Sequence, residues 1–245
     1  MSTLDDRKSI RKYLETDVDD ILLRQLLRTA EQTQTMGNLQ LYSVVVTRDR
    51  EMKTKLAPFH FNQSMVIDAP VVLTFCADYN RTTLWCENRH AKPGYNNFLS
   101  FMNAATDTLL YCQSFCNLAE EAGLGLCYLG TTVYNSQAII DLLQLPQLVM
   151  PVATITLGWP AENPPVSDRL PLDSVIHNER YNDYSSDLID RFYEKKEALP
   201  ENKKFVEINS KETLAQVFTD IRYTKKDCEE MSVGLLAALK NQGFL

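Results

Sequence analysis

The chain has 245 residues, of which 44% are hydrophobic and 23% are charged, a composition typical of a globular protein with a substantial core. Its net charge of −7 argues against broad binding to nucleic acid or to an anionic membrane, both of which need a basic surface. Six cysteines without a C-x-x-C pair, together with only three histidines, argue against a disulfide framework and a structural zinc site. We therefore predict no bound metal and, because the first residues are charged rather than apolar, a cytoplasmic location.

A basic segment, RKSIRKY from Arg7 to Tyr13, opens the chain. Cations beside a hydroxyl are what a phosphate dianion needs, namely charge neutralisation and directional donors. Taken alone, such a segment is more often a solvated basic surface. Next, Asp17 is expected to cap an amphipathic helix that runs to Ala30, followed by a polar stretch with a turn at Gly37-Asn38.

Apolar runs predict strands at Leu41–Thr47, Val71–Ala77, Gly125–Leu129 and Val152–Leu157. The remaining segments are expected to be a short helix at Glu51–Leu56, irregular structure at Asp78–Tyr95, and a helix from Asn135 to Leu143. Strands that alternate with helices indicate an α/β or α+β layered domain. We predict a single domain over residues 1–245, with an extended arm and loop at 160–205 and a helical tail at 206–245. Within these ranges, Asp187–Leu199 is predicted to be helical and Pro200–Lys204 to be a loop.

The longest predicted helix begins at Asn97, whose side chain can cap the first turn, and ends at Gly123, which can take the left-handed conformation. Apolar residues cover most of its circumference. Such a helix must be covered on most sides. It is therefore a core helix, a dimer helix, or both.

Three other segments are weak candidates for a site when taken singly: Thr35–Gln40, Gly125–Thr131 and Ser167-Asp168-Arg169. The chain has no G-x-S-x-G, P-loop, H-E-x-x-H or G-x-G-x-x-G signature. His60, His90 and His177 stand alone in the sequence, and we assign no catalytic role to any side chain.

Together and in order, five stretches resemble one family. They are RKSIRKY, TMGNLQLYSVVV, VVLTFCADYNR, GLGLCYLGTTVYN and LGWPAENPPVSDRLPLDSVIHNERY. The chain resembles the FMN-dependent nitroreductases of the oxygen-insensitive NADPH nitroreductase and flavin reductase P group, over about Asp5 to Tyr181. This resemblance implies a nitroreductase-like fold, in which helices flank a central mixed sheet around a long central helix. It also implies an intertwined homodimer with the flavin at the subunit interface.

The resemblance also implies which residues bind FMN. The FMN phosphate and ribityl chain are expected to contact Arg7, Lys8, Ser9, Arg11 and Arg169, with Ser167 beside them. The flavin ring is expected to contact Gln63, Tyr128, Leu129, Gly130 and Thr131. A loop near the flavin, partly contributed across the dimer, contains Thr35, Gly37 and Asn38. Two positions depart from the family pattern. Ser167-Asp168 stands where the family has Lys-Pro, and Thr131 stands where it often has a second glycine.

By resemblance, the chain is expected to transfer hydride from NADPH or NADH, through FMN, to nitroaromatics, quinones or free flavin by a ping-pong mechanism. Lys195, Lys196, Lys203 and Lys204 are candidates for the nucleotide phosphate by charge alone. The alternative is a non-catalytic protein that stores or delivers FMN. The departure at Ser167-Asp168 motivates this alternative, because it removes one cation from the expected phosphate site and adds an acid.

Overall fold

The computed structural model describes residues 3–245, which divide into two compact units. Within the described residues, the first unit comprises residues 3–165 together with Met231–Leu245. The second unit comprises Val166–Glu230. The last helix of the chain begins in the second unit and ends in the first. No helix in the described part of the chain is both long enough and apolar enough to cross a membrane.

A four-stranded sheet forms the centre of the first unit, with the order β1-β2-β4-β3. Its strands are β1 (Tyr42–Thr47), β2 (Val71–Asp78), β3 (Gly125–Leu129) and β4 (Val149–Gly158). All four strands were expected from the apolar runs, and β2 and β4 are buried along their whole length. The expectation of a mixed sheet needs correction, because every strand pair is antiparallel. Within residues 3–245, parallel pairing occurs only at an isolated bridge between Ser9 and Leu126.

Strand β4 begins three residues before the predicted start because the sheet accommodates Pro151. The register between β2 and β4 shifts here, with Phe75 opposite Ala153 and Cys76 opposite Pro151. One extra residue, Val152, therefore bulges on β4. A proline lacks the amide hydrogen that a regular ladder needs, and a bulge is one of the few places where a sheet tolerates it.

Among the described residues, six α-helices lie wholly within the first unit: α1 (Asp20–Ala30), α2 (Arg50–Leu56), α3 (Met65–Asp68), α4 (Asn80–Glu87), α5 (Phe98–Glu121) and α6 (Ser136–Leu143). Helix α5 is the long helix expected from the sequence. The Asn97 side chain accepts a hydrogen bond from the Ser100 amide at 3.0 Å, and Gly123 has a φ of +83°. One face of α5 packs against the sheet in a core that includes Tyr111, Phe115 and Ile155.

Two local predictions in this unit are wrong. The cap of α1 is Asp19, whose side chain accepts from the amides of Ile21 and Leu22, and not Asp17. Helix α4 lies inside the stretch predicted to be irregular. Its sequence, NRTTLWCE, lacks the apolar periodicity by which helices are recognised.

The second unit contains α7 (Ser186–Ala198), α8 (Pro200–Ile208) and α9 (Leu214–Val217), then a π-helical turn at Phe218–Arg222 and the start of α10 (Lys225–Asn241). The predicted loop at Pro200–Lys204 is in fact the first half of α8. Proline at the first helical position is favourable, since its missing amide hydrogen would have no partner there. Between Trp159 and Pro171 the chain forms no helix or strand, as expected for an extended arm.

Candidate functional site

The basic N-terminal segment lies along β3. Ser9 forms the parallel bridge to Leu126, and the Ile10 amide donates to the Leu126 carbonyl at 2.9 Å. This close approach requires glycine at position 125, because a Cβ there would lie 2.7 Å from Cγ1 of Ile10. The segment from Arg7 to Arg11 is therefore packed directly against the first residues of β3.

The same segment is also fixed by the residues that follow β4. The Leu14 amide donates to the Trp159 carbonyl, and the Ala161 amide to the Lys12 carbonyl, each at 2.9 Å. The Glu162 carboxylate accepts from the backbone amides of Arg11 at 2.6 Å and Lys12 at 3.1 Å. Hydrogen bonds on two sides hold the backbone that carries Ser9 and Arg11.

The cations of the segment face different surroundings. Arg7 and Ser9 are half-buried, while Arg11 is exposed. Burial raises the pKa of the Cys127 thiol, and the adjacent Arg11 guanidinium opposes that rise. Lys8 donates to the Asn163 side chain at 2.6 Å. Arg7 and Lys8 both line a cavity of about 310 Å³ whose other walls include Asp6, Glu120 and Glu162.

At the far end of β3, an aromatic side chain and a turn are accessible. Tyr128 is 50% exposed, Leu129 is buried, and Gly130 is exposed at the start of a 3₁₀ helix that ends at Val133. The Thr131 hydroxyl oxygen lies 2.7 Å from Nδ1 of His60. The Gln63 side-chain amide donates to the His60 carbonyl at 3.0 Å. The predicted residues Gln63 and Thr131 are thus brought together through His60.

His60 is a residue that the motifs did not identify. It is fully buried, and burial lowers its pKa to about 4, so the ring is neutral near pH 7. It ends a 3₁₀ helix, Ala57–His60. The one signal in the sequence is a polar side chain in a short aromatic stretch, PFHF, and that signal does not name its distant partner.

The predicted loop of Thr35, Gly37 and Asn38 is anchored to the middle of α5. Gly37 and Asn38 have φ values of 56° and 55°, in the left-handed region that glycine and asparagine tolerate best. The buried Asp107 carboxylate accepts from the Met36 amide at 2.9 Å and from the Leu41 amide at 3.3 Å. Asp107 was not identified from the sequence either, although a carboxylate within an otherwise apolar helix is the relevant signal.

Ser167, Asp168 and Arg169 lie in the second unit, and their contacts are local. Arg169 is exposed, and its guanidinium donates to the carbonyls of Asp168 at 2.8 Å and Ser167 at 3.4 Å. The Asp168 carboxylate forms an ion pair with Lys196 at 2.9 Å. The acid added at position 168 is therefore neutralised within the unit, and Lys196 already has a partner.

Comparison with known proteins places the chain in a family. The model of the nitroreductase family matches residues 4–159. The chain is 32% identical over 187 residues to an oxygen-insensitive NADPH nitroreductase of Salmonella typhimurium, covering 76% of each protein. It is 33% identical over 183 residues to an FMN reductase [NAD(P)H] of Bacillus subtilis, covering 74% of each. A crystal structure of a Bacteroides fragilis protein is 60% identical and superposes over the full length of both chains with a TM-score of 0.99. The chain belongs to the nitroreductase family, as its motifs indicated.

Proposed function

We propose that this protein is an FMN-dependent oxidoreductase that takes hydride from NADPH or NADH and reduces nitroaromatics, quinones or free flavin. The observation that carries the proposal is the arrangement along β3. Arg7, Ser9 and Arg11 lie beside its first residues, and Tyr128 and Gln63 lie at its far end. The names of the two curated relatives, an NADPH nitroreductase and an FMN reductase [NAD(P)H], support the same activity.

The residues present fit a flavin mononucleotide. Two arginines and a serine supply the charge and the hydroxyl that a phosphate monoester requires. The nearby Glu162 carboxylate accepts from two backbone amides through Oε1, so one of its two oxygens is already engaged by the main chain. The chain lacks the glycine-rich fingerprint that would hold a dinucleotide pyrophosphate. When bound, FMN would supply hydride transfer at its N5 atom.

Around the ring, the side chains would bind and orient rather than exchange protons. Gln63 uses one amide hydrogen on the His60 carbonyl, which leaves its other hydrogen and its oxygen for a ligand. Burial raises the pKa of Tyr128, so its phenol stays neutral. An added Cβ at Gly130 would have no neighbour closer than 4.0 Å, so the open backbone there can approach a planar ring. Backbone amide donors near the ring would stabilise negative charge on it.

The alternative, FMN storage without turnover, is less well supported. It was motivated by the acid at position 168, and that carboxylate is paired with Lys196.

The enzymatic proposal implies that both substrates use one site in turn. We therefore expect ping-pong kinetics, with parallel double-reciprocal lines for NADPH and a quinone. Intersecting lines would argue for a ternary complex and against this part of the proposal.

We expect the purified protein to be yellow and to carry FMN rather than FAD. The reason is that its cationic segment is sized for one phosphate monoester, without a second pyrophosphate motif. Acid release followed by chromatography identifies the flavin. Recovery of FAD, or failure to take up added FMN, would rule out the assignment.

We also propose that the protein is a homodimer. Helix α5 leaves large apolar side chains in solvent, of which Leu99 is 69% exposed and Phe98 48%. Met102, Leu109 and Leu110 are each more than 40% exposed on the same helix. Contiguous apolar surface of this kind is typical of obligate interfaces. Sedimentation at micromolar concentration should give a dimer, and a stable flavin-loaded monomer of 28.0 kDa would contradict it.

A further inference from the structure

His60 lies at the junction of two segments that the proposed function assigns to the flavin ring. Its carbonyl accepts from the Gln63 side chain, and its Nδ1 lies 2.7 Å from the Thr131 hydroxyl. The threonine is a departure from the family pattern, in which a glycine often stands here. The buried imidazole of His60 therefore contacts the Thr131 hydroxyl, a group that this chain adds to the segment expected to line the flavin ring.

The surroundings of His60 determine which of its nitrogens carries the hydrogen. The ring is fully buried and neutral, and a neutral imidazole has one N–H. Nε2 is buried without a hydrogen-bond partner among the described residues. Because an orphaned buried N–H donor is rarely tolerated, the hydrogen belongs on Nδ1. His60 then donates to the Thr131 oxygen, and the hydroxyl hydrogen of Thr131 is left for another acceptor.

We propose that His60 is a positioning residue, which orients the hydroxyl of Thr131 to donate a hydrogen bond to the bound flavin. Thr131 is half-buried and lies in the 3₁₀ helix that directly follows β3. This inference rests on the proposed function, since the acceptor is the flavin. It assigns to Thr131 a donor that a glycine at this position cannot supply.

A purely structural role for His60 makes a different prediction, and the chain offers a matched control. The 3₁₀ helix that ends at His60 is also tied to the turn after β3 by a second hydrogen bond, from the Asn135 side chain to the Phe59 carbonyl at 2.8 Å. Asn135 precedes α6, and its side chain makes no capping bond to that helix. Asn135→Ala therefore weakens the same junction without touching Thr131.

The experiment compares five variants with the unmodified protein: His60→Phe, Thr131→Val, the double variant that combines these two, His60→Asn and Asn135→Ala. FMN is titrated into each apoprotein, and the visible spectrum of the bound flavin and the Tm of the apoprotein are recorded. His60→Phe and Thr131→Val should each weaken FMN binding about five- to tenfold and shift the flavin spectrum, as expected for one lost hydrogen bond. The double variant should lose no more than either single variant, because both remove the same interaction.

The two remaining variants complete the test. His60→Asn can place an amide nitrogen near the position of Nδ1, so it should recover most of the affinity and the original spectrum. Asn135→Ala should lower the Tm but leave FMN affinity within about twofold, because a single hydrogen bond at the junction is lost and none at the flavin.

Several results would overturn the inference. If His60→Phe and Thr131→Val lower the Tm but leave the Kd and spectrum unchanged, His60 is a structural residue only. If Asn135→Ala weakens FMN binding as much as they do, the junction as a whole matters and the specific role of His60 is wrong. If the unmodified protein binds no FMN, the proposed function itself fails, an outcome visible before any variant is compared.

Discussion

Replacing Gly125 with alanine is expected to weaken FMN binding about tenfold and to lower the free energy of unfolding by about 2 kcal/mol. The new methyl group would lie 2.7 to 2.8 Å from three atoms of the Ile10 side chain, which is itself buried. Relief requires Ile10 to move away from β3. That movement breaks the hydrogen bond from the Ile10 amide to Leu126 and displaces the arginines on either side of it.

Gly94→Ala is the matched control for this substitution. Gly94 is exposed, and an added Cβ there would meet no atom within 4 Å. Its variant should keep the stability and the flavin affinity of the unmodified protein. Urea unfolding and FMN titration measure the two effects on Gly125→Ala. Loss of stability with unchanged FMN affinity would mean that the segment from Arg7 to Arg11 does not hold the flavin phosphate.

Asp107→Ala is expected to cost about 3 kcal/mol of unfolding free energy, the larger of the two stability effects. Asp107 is 2% exposed, and its two carboxylate oxygens accept from the amides of Met36 and Leu41. Removing the carboxylate leaves both amides without their acceptor, and Leu41 is completely buried. The loop of Thr35 to Asn38, which the family resemblance assigns to a flavin site shared across the dimer, would lose its attachment to α5.

Two further variants test this explanation. Asp107→Asn keeps one carbonyl oxygen, so it should lose roughly half as much free energy of unfolding. Thr106→Ala removes an exposed neighbour on the same helix and should change stability by less than about 0.5 kcal/mol. Hydrogen exchange at the Met36 and Leu41 amides should accelerate in Asp107→Ala. Unchanged exchange at both amides, with unchanged stability, would show that the carboxylate does not anchor the loop.

The parts of the fold that were predicted correctly are those with local signals. Asn97 and Gly123 mark the ends of α5 because a cap and a left-handed glycine act within one helical turn. Asp17 and Asp19 look equivalent in the sequence. The structure distinguishes them through a distant residue, since Arg48 binds the Asp17 carboxylate at 2.6 Å and leaves Asp19 to cap α1. Whether two strands pair parallel or antiparallel also depends on contacts between residues far apart in the chain. The local sequence patterns therefore did not predict that the sheet is antiparallel rather than mixed.

The same distinction applies to the candidate site. The basic segment and the turn after β3 are continuous stretches, so the motifs could identify them. The residues that hold the site together act over long separations. His60 and Thr131 are 71 positions apart, as are Met36 and Asp107. Each of these contacts joins a loop to a buried polar group, and neither partner alone carries a pattern that points to the other.

Whether this protein turns over with a nicotinamide is tested most directly by mixing it, loaded with FMN and free of oxygen, with NADPH and separately with NADH. An FMN-dependent oxidoreductase should lose the visible absorption band of its flavin with at least one of the two, and recover it when a quinone is added. A protein that binds FMN but keeps the full absorption band with both nicotinamides would be a flavin store, and the proposed activity would be wrong.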